Sequence, residues 1–357
     1  MKNYKLQITN YKLRNFKIFN FQFSIFNSPW AGFTLVELMI AVTITVLTLA
    51  AVYTSFIVQQ RSFVVQDELS ETQISSKIAF DILVNRIRIA GFGYPTTETP
   101  TINGVSGIIT TNDAGNGNSP DSITVVGGFR TLGVIGLPIG QSYVQIEQED
   151  ATGYYLDICY NTNTRFNAVN MSYLSIDGVF YAEVNGINDN AATADCGIMT
   201  MSRLYLDRPV SIEFPVSRPI YLIEDVTFRL GDTDNDGVID DLEITTPSGT
   251  DTLASNIEDI QFAYAIDAGN DGEIDDQNGN NTIDPGDYIN PPFVGSPKVL
   301  AVRANLLART ANPDQTLDPS TKPYFSGITL ENGSTIGAND SIRRRVWSTE
   351  ILLRNPR

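Results

Sequence analysis

Residues 32–58 read GFTLVELMIAVTITVLTLAAVYTSFIV, and this stretch decides the fold. From Leu38 to Val58 there are 21 residues without a charge. As a helix that run spans the roughly 30 Å of a bilayer's hydrocarbon. Its amino-terminal flank carries Lys2, Lys5, Lys12, Arg14 and Lys17 and no acid, which predicts a cytoplasmic start and an extracytoplasmic remainder. Glu37 sits just inside the apolar segment. A carboxylate in hydrocarbon costs on the order of 2.5–3.5 kcal/mol on insertion scales, so a partner is expected for it. The small pair Ala31-Gly32 precedes the apolar run rather than following it, which is the reverse of a secretory signal.

Working outward, no Gly or Pro occurs between Phe33 and Ala90, and Gly91, Gly93 and Pro95 then stop the helix. Beyond Gln59-Gln60-Arg61 the pattern becomes amphipathic. Leu69, Ile74, Ile78, Ile82 and Leu83 form the expected stripe, widened by Phe80, Val84 and Ile87. Residues 33–58 are thus read as the membrane half of one helix, and 59–90 as a half that packs on a soluble head.

Gly32-Phe33-Thr34-Leu35-Val36-Glu37 followed by an uncharged run closely resembles the processing motif of type IV prepilins and type II secretion pseudopilins. The resemblance implies a leader of residues 1–32, longer than most in the family. It implies that a membrane prepilin peptidase cuts between Gly32 and Phe33, and that Phe33 is then N-methylated. It further implies that Glu37 neutralises the terminal amine of a neighbouring subunit during assembly. An amine and a carboxylate held together in lipid stabilise each other far more than in water.

From Gly91 the texture changes to short β-branched and aromatic runs between Gly, Asn, Asp and Pro clusters. Ser122–Val126, Tyr154–Cys159, Thr227–Leu230 and Val299–Arg303 read as antiparallel strands. The expected fold class is α+β and type IV pilin-like: a long amino-terminal helix on a β-rich head over 91–357, as one domain. Three stretches resemble minor pilins of the PilW kind: 85–93 (NRIRIAGFG), 256–264 (NIEDIQFAY) and 343–355 (RRRVWSTEILLRN). The J-type pseudopilin of type II secretion shares this plan. Cys159 and Cys196 are predicted to bridge in an oxidising compartment, the alternative being one buried and one exposed thiol.

Composition narrows the chemistry. The 357 residues carry 24 Lys+Arg against 41 Asp+Glu, a net charge of −17, with no histidine and two cysteines. Without histidine there is no Ser-His or Cys-His nucleophile pair and no His-ligated metal. The acidic balance argues against nucleic acid as a partner. A solvated edge is as good a reading of Arg343-Arg344-Arg345 as any partner role.

The acids concentrate in residues 231–290, which hold 16 of them and no base. Asp232-Thr233-Asp234-Asn235-Asp236-Gly237-Val238-Ile239-Asp240-Asp241-Leu242-Glu243 matches the 12-residue Ca²⁺ loop over 232–243. Asp232, Asp234 and Asp236 supply oxygens at positions 1, 3 and 5, Val238 its carbonyl, Asp240 direct or water-mediated contact, and Glu243 a bidentate closure. Ile239 is expected to pin the loop. A second region, 267–287, holds two weaker overlapping runs. The first offers Asp267, Asp271, Glu273 and Asp275. The second offers Asp276, Asn278, Asn280, Thr282, Asp284 and Asp287, with Asn281 in place of the usual glycine. Their back-to-back spacing resembles thrombospondin type 3 repeats. No amphipathic helix precedes Asp232, so these are loops on strand ends. Hard oxygen ligands select Ca²⁺ over Zn²⁺.

The sequence is therefore read as a structural minor pilin, not an enzyme. It is expected to enter the inner membrane by a single pass, pair with other pilins through its helix, and expose a Ca²⁺-stabilised head on a pilus. A type II secretion pseudopilin and a calcium-dependent adhesin displayed on the filament are the alternatives.

Overall fold

The computed structural model describes residues 33–95, 101–112, 119–136, 148–160, 172–188, 196, 200–215, 218–293, 297–314, 328–329, 335–336 and 341–355. Gly32 lies outside the described residues. The chain divides into two units at Gln59.

One helix, Leu35–Arg88, contributes to both units. Thr34 and Glu37 cap its start reciprocally. The Thr34 N–H and hydroxyl donate to Glu37 Oε2 at 3.1 and 3.0 Å, and the Glu37 N–H donates to Thr34 Oγ1 at 3.2 Å. In the first unit the apolar side chains from Leu35 to Val58 are exposed, apart from the half-buried Ile57. Thr43, Thr45, Thr48 and Thr54 donate to carbonyls four residues back, at 2.7, 2.8, 2.8 and 3.0 Å. These four hydroxyls in a mostly apolar surface are thereby satisfied within the helix, as lipid requires.

In the second unit the helix buries Ser76, Ala79, Phe80, Leu83, Val84 and Ile87. This corrects the expected stripe: Ile74 and Ile78 are 60% and 55% exposed. The buried face is rotated so that it carries two small residues, Ser76 and Ala79, and Ser76 meets the carboxyl-terminal strand. Trp347 Nε1 donates to Ser76 Oγ at 2.9 Å. Hydrophobicity alone missed a face chosen by close approach. At the helix end Gly91 has φ +75°, and a Cβ there would strike the carbonyl of Asn355.

The head is antiparallel. A three-stranded sheet runs Ile257–Asp267, Lys298–Arg309, Arg344–Leu352. A ten-stranded sheet folds into two parts. In one, the strands Ile109–Asn112, Ser122–Ile135, Pro219–Gly231, Asp241–Thr246 and Gly249–Ala254 lie side by side. Their register aligns Thr110, Thr124, Thr227, Thr245 and Thr250 in one row. The alternate positions Ile123, Val125, Val226, Phe228, Leu242 and Ile244 are buried in a core with the helix and the three-stranded sheet.

In the other part, Ser122–Ile135, Pro219–Gly231, Ser172–Ile176, Phe180–Asn188, Thr200–Leu206 and Gly153–Tyr160 pair in that order. The last returns to the first through Val134↔Cys159 and Ile135↔Ile158, closing a barrel. The barrel has its own core, including Leu132, Leu156, Ile158, Leu174, Ile176, Leu204, Ile220 and Leu222. Among the described residues the head thus holds two hydrophobic clusters. Residues 136–218 are an insertion in a hairpin: Ile135 N–H donates to Arg218 O at 3.0 Å, so the chain returns where it left.

Candidate processing motif and acidic loops

The acidic region forms three successive loops with one repeated backbone pattern. In the first, the carboxylates of Asp232, Asp234 and Asp236 lie within 4.8 Å of one another. The Asp232 carboxylate accepts from the N–H groups of Asp236 and Gly237, both at 3.1 Å. Asp267 accepts likewise from Asp271 and Gly272 at 3.1 and 2.9 Å, and Asp276 from Asn280 and Asn281 at 3.2 and 2.5 Å. The residue at position 5 then accepts from the N–H two places on: Val238 to Asp236 at 2.7 Å, Glu273 to Asp271 at 2.9 Å, Thr282 to Asn280 at 2.8 Å. Positive φ recurs at positions 4 and 6, on Asn235 and Gly237, Asn270 and Gly272, and Gly279 and Asn281. Only Gly and Asn adopt this conformation readily, which is why they occupy these places.

The loop ends differ from expectation. Glu243 and Asp240 do not join the first carboxylate cluster. Glu243 lies in the Asp241–Thr246 strand and accepts from Arg229 Nε and Thr233 Oγ1, both at 2.9 Å. Asp240 accepts from Arg309 Nη2 at 2.8 Å. Each is paired with an arginine. Ile239 pins nothing: it is 63% exposed, because the loop projects from the strand ends. The closing role falls to Asp241, which sequence reasoning passed over. It is 1% exposed; its Oδ2 accepts from Thr233 and Asp234 N–H at 2.9 and 3.3 Å, and its Oδ1 from Ser255 Oγ at 2.5 Å.

Matching closures recur. Asp275 accepts from Ala268 N–H at 2.8 Å, and Asp287, fully buried, from Gln277 and Asn278 N–H at 2.8 and 3.2 Å. Asp284 accepts from Gly286 N–H at 2.7 Å and from the Asn278 and Asn280 amides. The signal for these closures was an Asp placed 8–11 residues after each opening one. Position-12 matching obscured it in the first loop.

Electrostatics differ between the loops. The Asp236 N–H pulls Asp234 down, but desolvation and the carboxylates of Asp236, Asp241 and Asp232 together leave it above its ordinary value. Desolvation opposes ionisation of Asp276, yet the N–H groups of Asn281, Gly279 and Asn280 hold it below. The first loop therefore carries uncompensated repulsion that a hard cation would relieve.

The helix start keeps Phe33 87% exposed, with Glu37 engaged by Thr34. This capping box was legible as Thr34-x-x-Glu37 and was missed. In the barrel, Cys159 and Cys196 are joined as a disulfide. Of the three carboxyl-terminal arginines, Arg343 pairs with Asp314 at 2.6 Å and Arg344 is buried against Glu258 at 2.5 Å. Only Arg345 is on the surface, over the ring of Trp347.

Two family models match this chain. The prokaryotic N-terminal methylation motif covers residues 31–53, and type IV pilus-assembly protein W covers residues 232–355. Together the two matches are those of a PilW-type, prepilin-like pilin. No curated protein and no solved structure matches it. The PilW match opens on Asp232 and takes in all three acidic loops and the three-stranded sheet, while the barrel insertion lies outside it. Two of the stretches that resembled PilW in the sequence, 256–264 and 343–355, fall within the match, and 85–93 falls outside. The methylation motif implies processing by prepilin peptidase, and the match to the pilus-assembly family implies pilin partners in general.

Proposed function

We propose that this chain is a minor pilin, cleaved between Gly32 and Phe33, methylated on the Phe33 amine, and incorporated into or priming a type IV pilus with its head outside the cell. The observation that carries this is the exposed apolar helix from Leu35 to Val58 with one acid, Glu37, at its start, in register with the methylation motif. A helix surface this apolar is unstable in water and needs lipid or neighbouring helices. After cleavage the amine lies next to Thr34, and the Glu37 carboxylate, seated at the electropositive start of the helix, is the group that can recruit the amine of a second subunit. Mass spectrometry of the mature chain tests it. A polypeptide beginning at methylated Phe33 is expected; a chain retaining residues 1–32 in assembled filaments refutes the reading. Glu37→Ala is expected to abolish incorporation into filaments while leaving membrane insertion intact.

The head is further read as calcium-stabilised. Asp232, Asp234 and Asp236 would ligate at the first loop, Asp267 and Asp271 at the second, and Asp276, Asn278 and Asn280 at the third. Oxygen-only donors, repeated loop geometry and the raised Asp234 support this. Absence of heat on titrating Ca²⁺ into the full chain in detergent would remove it.

A further inference from the structure

We propose that the end of the head where the helix stops is a docking surface for a second copy of this chain, on which Arg86, Arg88 and Arg354 receive Asp67 and Glu71 of the neighbour's helix. The inference deepens the filament reading and rests on it for one point: all copies stand parallel, because each enters the membrane the same way.

The unmatched charges point to this surface. With a net charge of −17, a cation in this chain is seldom short of a carboxylate. Arg130, Arg229 and Arg309 have theirs in Glu224, Glu243 and Asp240. Arg88 and Arg354 have none among the described residues, and Arg86 lies over the ring of Phe129 at 5.1 Å instead. The three meet at one place. The Arg354 N–H donates to the Arg88 carbonyl at 3.1 Å, and Arg86 stands two positions before Arg88 in the last helical turn. Arginines suit the negative end of a helix dipole, but Arg354 lies outside the helix, so the dipole does not account for the group. Nearer the membrane the same helix shows the reverse. Glu68 accepts from the Asn312 amide at 2.8 Å, whereas Asp67 and Glu71 are exposed, share one face, and have no partner among the described residues.

Spacing makes the two sets complementary. Glu71 precedes Arg88 by 17 residues, and Asp67 precedes Arg86 by 19. At about 1.5 Å per residue, both pairs close at one displacement of roughly 27 Å between parallel helices. The same displacement brings Arg61 of one copy within a turn of Asp81 of the other. In register, by contrast, acid faces acid and arginine faces arginine. The two patches differ, so the contact is head-to-tail and repeats without closing, as a filament requires. Guanidinium and carboxylate can pair bidentately. Exposed pairs are weak alone and become effective once the membrane and the apolar helices hold copies side by side.

The test is cross-linking of the full chain in lipid vesicles. Cys159 and Cys196 are bridged, so an introduced cysteine is the reactive thiol. Ser70 and Asn85 are exposed beside the two patches, and Ser70→Cys is mixed with Asn85→Cys. With a short bis-maleimide, the mixed product between positions 70 and 85 is expected several-fold above either product between like positions. Arg354→Glu in the Asn85→Cys chain should lower it several-fold, and adding Arg88→Glu should lower it further. Asp67→Lys with Glu71→Lys in the Ser70→Cys chain should then restore it, which also shows that the reversed chains fold. A mixed product no higher than the like ones, insensitivity to charge reversal, or failure of restoration overturns the proposal. Leu49→Cys reports the apolar helix separately. Cross-linking at Leu49 without the mixed product rejects this docking and leaves the filament reading standing, whereas absence of both refutes the two together.

Discussion

The barrel and the PilW-matched segment are both antiparallel sheet, yet they are held together in opposite ways. The barrel places its charges in pairs on its outer wall. Arg203, 8% exposed, donates to Asp157 from Nε and Nη2 at 2.7 and 3.0 Å and to Asp150 from Nη1 at 3.1 Å, while stacking on Tyr155. The PilW-matched segment has ion pairs of its own, Asp240–Arg309, Asp314–Arg343 and Glu258–Arg344, but spends the opening carboxylates of its loops on backbone N–H groups. The first arrangement is complete in itself. The second leaves carboxylates such as Asp234 crowded against their own kind. One region pairs its buried charges, and the other keeps like charges close together.

The largest test of that contrast is Arg203→Met. It removes the cation from Asp157, which is 4% exposed, and leaves a buried carboxylate without its arginine. Breaking such a pair costs about 3–5 kcal/mol. Hydrogen exchange should accelerate in Gly153–Tyr160 and Thr200–Leu206 and stay unchanged in Ile257–Asp267. Equal loosening of both regions would show that the two cores unfold as one.

The next test lies in the PilW-matched region. Asp259 is 2% exposed, its Oδ2 has no hydrogen-bond partner among the described residues, and burial pushes its carboxyl up to about 6, against the N–H groups that lower it. Its folded value therefore stands above the unfolded one near 3.9. The stability it contributes is complete below the unfolded value and is lost as pH rises through about 6. A shift of this size corresponds to roughly 3 kcal/mol. Asp259→Asn should equal the parent near pH 4 and exceed it by up to that amount at pH 8. A constant difference across this range would contradict the assignment.

How much of this was legible beforehand depended on the range of the signal. The helix and its stop at Gly91 follow from runs and punctuation within one segment, so the sequence displays them directly. The loop openings at Asp232, Asp267 and Asp276 are also local patterns. The barrel was not visible, because closure rests on Val134↔Cys159, which no local pattern encodes. The partners of Asp240 and Glu243 are similarly remote or out of pattern. Arg309 reaches Asp240 from 69 positions away, and Arg229 precedes the loop on the neighbouring strand. Ile74 and Ile78 misled because periodicity ranks faces by hydrophobicity, whereas Trp347 selected the face that let it approach.

A smaller effect sharpens the contrast at the hinge of the first loop. Asp241→Ala strips acceptors from the N–H groups of Thr233 and Asp234 and from Ser255. Leaving partly buried donors unpaired costs about 1–3 kcal/mol. The loss should appear in protection of Asp241–Thr246 and its neighbours, with the barrel unaffected.

The smallest effect is the most selective. Extracellular oxygen-ligand loops bind Ca²⁺ with Kd of about 10⁻⁴–10⁻³ M. At about 1 mM free Ca²⁺ and a Kd near 0.1 mM, each occupied loop adds roughly 1.4 kcal/mol by linkage. The barrel offers no repeated loop of this kind among the described residues, so its exchange rates should not move. Protection should rise in the strands that carry the loops, Pro219–Gly231, Asp241–Thr246 and Ile257–Asp267, and fall again on chelation. Asp232→Asn combined with Asp234→Asn should remove the first loop's share while relieving its repulsion, so the apo protein becomes slightly more stable as the Ca²⁺ response shrinks. A variant that loses apo stability and keeps the full response would mean that these carboxylates hold the loop's shape and bind nothing.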